Sequence, residues 1–87
     1  MYALAPDISA VDTDYGMALL HQVRGQYWSL NPTGAIVLRS ALESGDPGHA
    51  VDRLVAAFDV DGGEAARDVA HLMDSLVTMG ILVRRPA

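Results

Sequence analysis

Gln26-Tyr27-Trp28-Ser29-Leu30-Asn31-Pro32-Thr33-Gly34 decides the fold, because an aromatic strand runs into a helix start with no linker between them. Over Gln26 to Leu30 the side chains alternate, Trp28 and Leu30 to one face and Tyr27 and Ser29 to the other, the period of a half-buried strand. Asn31 can accept a hydrogen bond from a free amide of the first helical turn. Pro32 loses nothing there, because the amide it lacks has no partner inside a helix. Gly34 is a poor helix former. Even so, Ala35, Ile36, Val37, Leu38, Ala41 and Leu42 supply a broad apolar face before Gly45 ends the element.

Upstream, Ile8, Ala10 and Val11 precede the turn formers Asp12-Thr13-Asp14-Tyr15-Gly16, which predicts a first strand and a tight turn. Met17 to Val23 reads as a second strand, with Met17, Leu19, His21 and Val23 on one face; Arg24-Gly25 then turns into the aromatic strand. Downstream, Asp46-Pro47 repeats the cap-then-proline signal, and Ala50, Val51, Leu54, Val55 and Phe58 recur at helical spacing. Asp61-Gly62-Gly63-Glu64 opens a third helix that ends before Gly80, a residue suited to a left-handed cap. Ile81, Leu82 and Val83 form an apolar tail that either docks as an extra strand or packs on the core. The fold class is therefore α+β: a three-stranded antiparallel sheet followed by three helices, similar to a winged helix-turn-helix domain.

With 87 residues, the expectation is one domain spanning 1–87. A net charge of −5, with six arginines and no lysine, repels a phosphate backbone and weighs against nucleic-acid binding. The absence of cysteine removes disulfides, thiolate metal sites and a cysteine nucleophile. Apolar runs such as Met17–Leu20 are too short to cross a bilayer, and the N-terminus has no signal-peptide pattern, so a soluble cytoplasmic protein without membrane contact is expected.

Chemistry is thin. His21, His49 and His71 fall in separate elements, so no metal site is expected; Asp12 and Asp14 lack the rest of a calcium loop and read as turn formers. Gly62-Gly63 follows a helix and lacks the lysine of a phosphate loop. No nucleophile, base and acid can be nominated together, which predicts no catalytic residues, no cofactor and no enzyme.

Residues about 100° apart put Ala65, Val69, Leu72, Leu76 and Met79 on one stripe of the third helix and Ala66, Ala70, Met73 and Val77 on a second. The second stripe either packs on the other two helices or, flanked by Arg67 and Asp74, lines a groove beside the sheet edge. The aromatic strand has neither lysine nor proline to guard that edge, and a free edge beside an apolar groove can take an extended peptide as another strand.

The run GQYWSLNPTGAIVLRSALESG from Gly25 to Gly45, with a final helix ending Met79-Gly80-Ile81-Leu82, resembles the PqqD-like family. Within that family it is most similar to the standalone leader-recognition proteins of lasso-peptide biosynthesis. The resemblance implies a RiPP precursor recognition element, a noncatalytic domain that captures the leader region of a ribosomally made lasso precursor. It further implies that the leader adds as an antiparallel strand to Gln26–Leu30 and lies against the last helix, with tyrosine, proline and leucine as its usual anchors. The peptide-binding residues expected are Gln26, Tyr27, Trp28, Ser29 and Leu30 on the strand, with Ala66, Arg67, Val69, Ala70, Met73, Asp74 and Val77 on the helix. The implied partners are a leader peptidase and an ATP-dependent lasso cyclase acting later. Two competing readings are a winged-helix DNA-binding regulator, which needs a basic recognition helix that is not found, and a homodimer that buries the same edge and stripe.

Overall fold

The computed structural model describes residues 2–85. It opens with β1 (Tyr2–Leu4), a strand the sequence pattern did not predict. The expected series follows: β2 (Ile8–Thr13), β3 (Gly16–His21), β4 (Tyr27–Leu30), α1 (Pro32–Ser44), α2 (Pro47–Ala57) and α3 (Gly62–Thr78). The apolar tail docks as a strand, β5 (Leu82–Arg84), antiparallel to β1 with Leu4 opposite Leu82. This pairing buries Ile81 and Leu82, and Ala5 N–H donates to the Ile81 carbonyl at 2.8 Å. The architecture is α+β, as expected. The added β1–β5 ribbon makes the winged-helix likeness a loose one.

β3 is the central strand of the second sheet, in the order β2-β3-β4. Met17 faces Leu30 and Leu19 faces Trp28; residues directly opposite share a face, so these four turn toward the helices. Met17 and Leu19 are buried in the core, and Trp28 and Leu30 pack against it half-buried. The opposite face leaves Val11, Leu20 and Tyr27 exposed. The second strand stops at His21, two residues short of the expectation, because the turn back to β4 begins there. Arg24 N–H donates to His21 Nδ1 at 3.1 Å, Gly25 N–H donates to the His21 carbonyl at 2.8 Å, and Val23 is left in solvent.

Gly16 fixes how closely β3 approaches the end of β4. Its φ of 142° favours glycine, and a Cβ there would run into the carbonyl oxygen of Leu30. Gly16→Ala is therefore expected to destabilise the protein by about 2–4 kcal/mol, read as a lower urea midpoint at unchanged slope.

All three helix starts follow the sequence signals. Asn31 Oδ1 accepts from Gly34 N–H at 2.8 Å, Asp46 Oδ1 from Gly48 N–H at 2.9 Å, and Asp61 Oδ2 from Glu64 N–H at 3.0 Å. Gly45 (φ 69°) closes α1 and Gly80 (φ 79°) follows α3, where Ile81 N–H returns to the Leu76 carbonyl at 2.9 Å. α1 packs on the inner sheet face and on both other helices, and Val37, Leu38 and Ala41 are buried in that contact. No helix of the described residues is long and apolar enough to cross a membrane.

Candidate functional site

β4 has β3 on one side and, among the described residues, no strand on the other. Its hydrogen-bond phase follows from one contact: His21 N–H donates to the Gln26 carbonyl at 2.8 Å. In an antiparallel ladder bonded and non-bonded pairs alternate, so Trp28 and Leu30 spend their backbone groups on Leu19 and Met17. Tyr27 and Ser29 consequently turn their N–H and C=O outward, to the open edge. Those are the groups an added strand would need.

Beside that edge, between the β4–α1 junction and α3, lies a groove of about 420 Å³. Val37, Leu54 and Val69 form its apolar floor, each at most 3% exposed. Leu30 and Leu72 stand as facing walls, and Ser29, Asn31, Thr33 and Asp68 make a polar rim. Gly34 lies at the base, where an added Cβ would sit 3.3 Å from Asn31 Oδ1 and 3.4 Å from Leu30 Cβ. A glycine early in α1 thus lets the strand end, the cap and the groove floor converge. Apolar depth with a polar rim, bordered by unpaired backbone groups, is suited to an extended peptide with a few buried side chains.

The predicted helix residues divide between two flanks. Val69 reaches the groove beside β4, together with Ser29 and Leu30 of the strand. Ala66, Ala70, Met73 and Asp74, with Val69 again between the two, line a second cavity of about 410 Å³ on another flank of α3, against Val51 of α2, Tyr2 of β1 and Arg84 of β5. Asp74 approaches Arg84 at 3.8 Å across it, Arg67 is exposed, and Val77 packs against the core. Met73 is 4% exposed, a core residue that borders the second cavity and not the groove beside β4. Of the second stripe, Met73 is buried and Val77 half-buried, while Ala66 and Ala70 stay exposed on this second cavity, between α2 and the β1–β5 ribbon. The structure does not bring Met73, Ala70 or Asp74 to β4.

Leu72, Asp68, Thr33, Asn31 and Gly34 line the groove and were not among the predicted site residues. Helical periodicity identifies stripes and leaves open which neighbour stands on each side; Leu72 fell into the stripe assigned to the core. The available signal was Gly34, since a glycine inside a helix start suggests a close approach.

The model of the family described as coenzyme PQQ synthesis protein D (PqqD) matches residues 16–82, a span that contains β3, β4 and all three helices. Among solved structures, a lasso peptide synthetase B1 complexed with the leader peptide superposes with a TM-score of 0.86 at 36% identity, over 95% of this chain and 98% of that one. TbiB1 in complex with the TbiA(beta) leader peptide gives a TM-score of 0.79 at 26% identity, over 97% and 98% of the two chains. SuiB of Streptococcus suis, bound to S-adenosylmethionine, shares the fold alone, at 14% identity and a TM-score of 0.52; this chain covers 24% of its length. No curated protein sequence matches. An open sheet edge flanked by α3, a family match over most of the chain and a near full-length likeness to a leader-bound protein agree, and the chain belongs to the PqqD family.

Proposed function

We propose that this protein is a noncatalytic, cytoplasmic recognition element that binds the leader region of a lasso precursor peptide and delivers it to the leader peptidase of the same pathway. The observation that carries this reading is the unpaired edge of β4 running beside the apolar groove of α3. The leader would add to β4 as an antiparallel strand, bonded to the outward groups of Tyr27 and Ser29, and place alternate side chains over Val37, Leu54 and Val69. Main-chain pairing supplies part of the affinity and a few buried anchors the rest. Holding the leader on the adaptor raises its effective concentration at the peptidase, and the cyclase acts afterwards. DNA is a poor alternative, because Glu64, Asp68 and Asp74 lie exposed on α3 with Arg67 as that helix's one arginine.

Fluorescence anisotropy of a labelled lasso-precursor leader peptide tests the reading directly. Saturable binding at micromolar protein that survives moderate salt is the expected result. Absence of binding, together with sedimentation of the free protein as a dimer, would assign the same edge to a second copy.

A further inference from the structure

The two ends of the groove differ in charge. Glu64 and Asp68 stand one turn apart on α3, and both meet Thr33 across a small cavity of about 70 Å³, just beyond the Leu30 end of β4. The same flank continues through Leu72, then Ser75 and Met79, without another acid. Asp61 already caps the helix by accepting from Glu64 N–H at 3.0 Å, and Glu64 in the first turn complements the positive end of the helix. Asp68, a turn further on, has no part in that cap. Arg39, Arg53 and Arg84 are engaged with Asp12, Glu43 and Asp74, and Arg67 leaves α3 about 100° around the axis from Asp68. Among the described residues, an exposed carboxylate, Asp68, thus stands on the rim of the groove at one end only.

A strand added antiparallel to β4 enters beside Leu30 and leaves beside Tyr27, so its N-terminal end passes Asp68 and Glu64. We infer that the leader carries a lysine or arginine immediately N-terminal to the segment that pairs with β4, and that Asp68, assisted by Glu64, receives it. The inference rests on the leader-binding reading and adds to it a polarity: the acidic end fixes the direction in which the peptide lies.

A double-mutant cycle tests it. The probe is a lasso-precursor leader peptide that binds the parent protein, labelled with fluorescein at its C-terminal end, in three versions. One has lysine at the two positions before the pairing segment, one has glutamine there, and one has the lysines after the segment. Each is titrated against the parent protein and against Asp68→Asn, with Glu64→Gln as a second variant. At low salt the first version should bind the parent about two- to fivefold more tightly than the glutamine version, as expected of an exposed ion pair. That advantage should shrink in Asp68→Asn and at high salt. Equal binding of the lysine and glutamine versions, or an advantage that persists in both variants, overturns the inference. An advantage for lysines placed after the segment overturns the direction. If no leader peptide binds the parent protein, the leader reading itself falls, and this inference with it.

Discussion

Ser29→Pro is expected to weaken leader binding by about tenfold or more while leaving the protein folded. The phase of the β3–β4 ladder sets this outcome. Leu19–Trp28 and Met17–Leu30 are the bonded pairs, so the Ser29 N–H points away from β3 and, among the described residues, meets no backbone acceptor. Proline removes that donor and places its ring where an added strand must approach, a substitution that edge strands tolerate and their partners do not. Trp28→Pro provides the contrast, because its N–H serves the internal ladder and its loss should lower thermal stability first. Leader anisotropy and circular dichroism on the two variants separate the outcomes. Undiminished binding by a folded Ser29→Pro protein would exclude strand addition at this edge.

How much of this was legible in the sequence depends on the range of the interaction concerned. The β4–α1 junction was read to the residue, because Asn31 acts on the amide of Gly34 three positions away and proline at the next position is a local signal. The caps at Asp46 and Asp61 and the turn at Gly80 are equally local. The β1–β5 ribbon was not legible as a pair. Tyr2-Ala3-Leu4 is too short to show a period, and its partner Leu82–Arg84 lies at the other end of the chain. That omission had a consequence for the site. The second stripe of α3, Ala66, Ala70, Met73 and Val77, has too much apolar surface for a helix covering one sheet, and the sequence leaves the excess open between the other two helices and a peptide groove. Met73 and Val77 of that stripe go to the core, while Ala66 and Ala70 stay exposed on a cavity bordered by α2 and the ribbon, through Val51, Tyr2 and Arg84. The edge itself was correctly identified as open because that conclusion needed only β4's own residues and the order of the strands.

The same geometry separates two neighbouring substitutions on α3. Leu72 is half-buried and walls the groove opposite Leu30; Met73, one residue on, is 4% exposed and faces the core. Leu72→Asp puts a carboxylate at the mouth of the groove, where water still reaches it, so the fold should tolerate the change. Leader side chains that enter over Val37 and Val69 would then meet a charge, and affinity should fall by roughly 30-fold or more, the loss typical of a central apolar contact. Met73→Asp instead buries an unpaired carboxylate and removes a packed side chain, a loss of about 3–5 kcal/mol against the roughly 5–15 kcal/mol that holds a small domain together. Its loss of leader binding should therefore track unfolding and be accompanied by a collapse of the thermal transition. Binding isotherms measured beside thermal melts distinguish the two mechanisms. A stably folded Met73→Asp protein that no longer binds, paired with a Leu72→Asp protein that binds normally, would move the peptide to the opposite flank of α3.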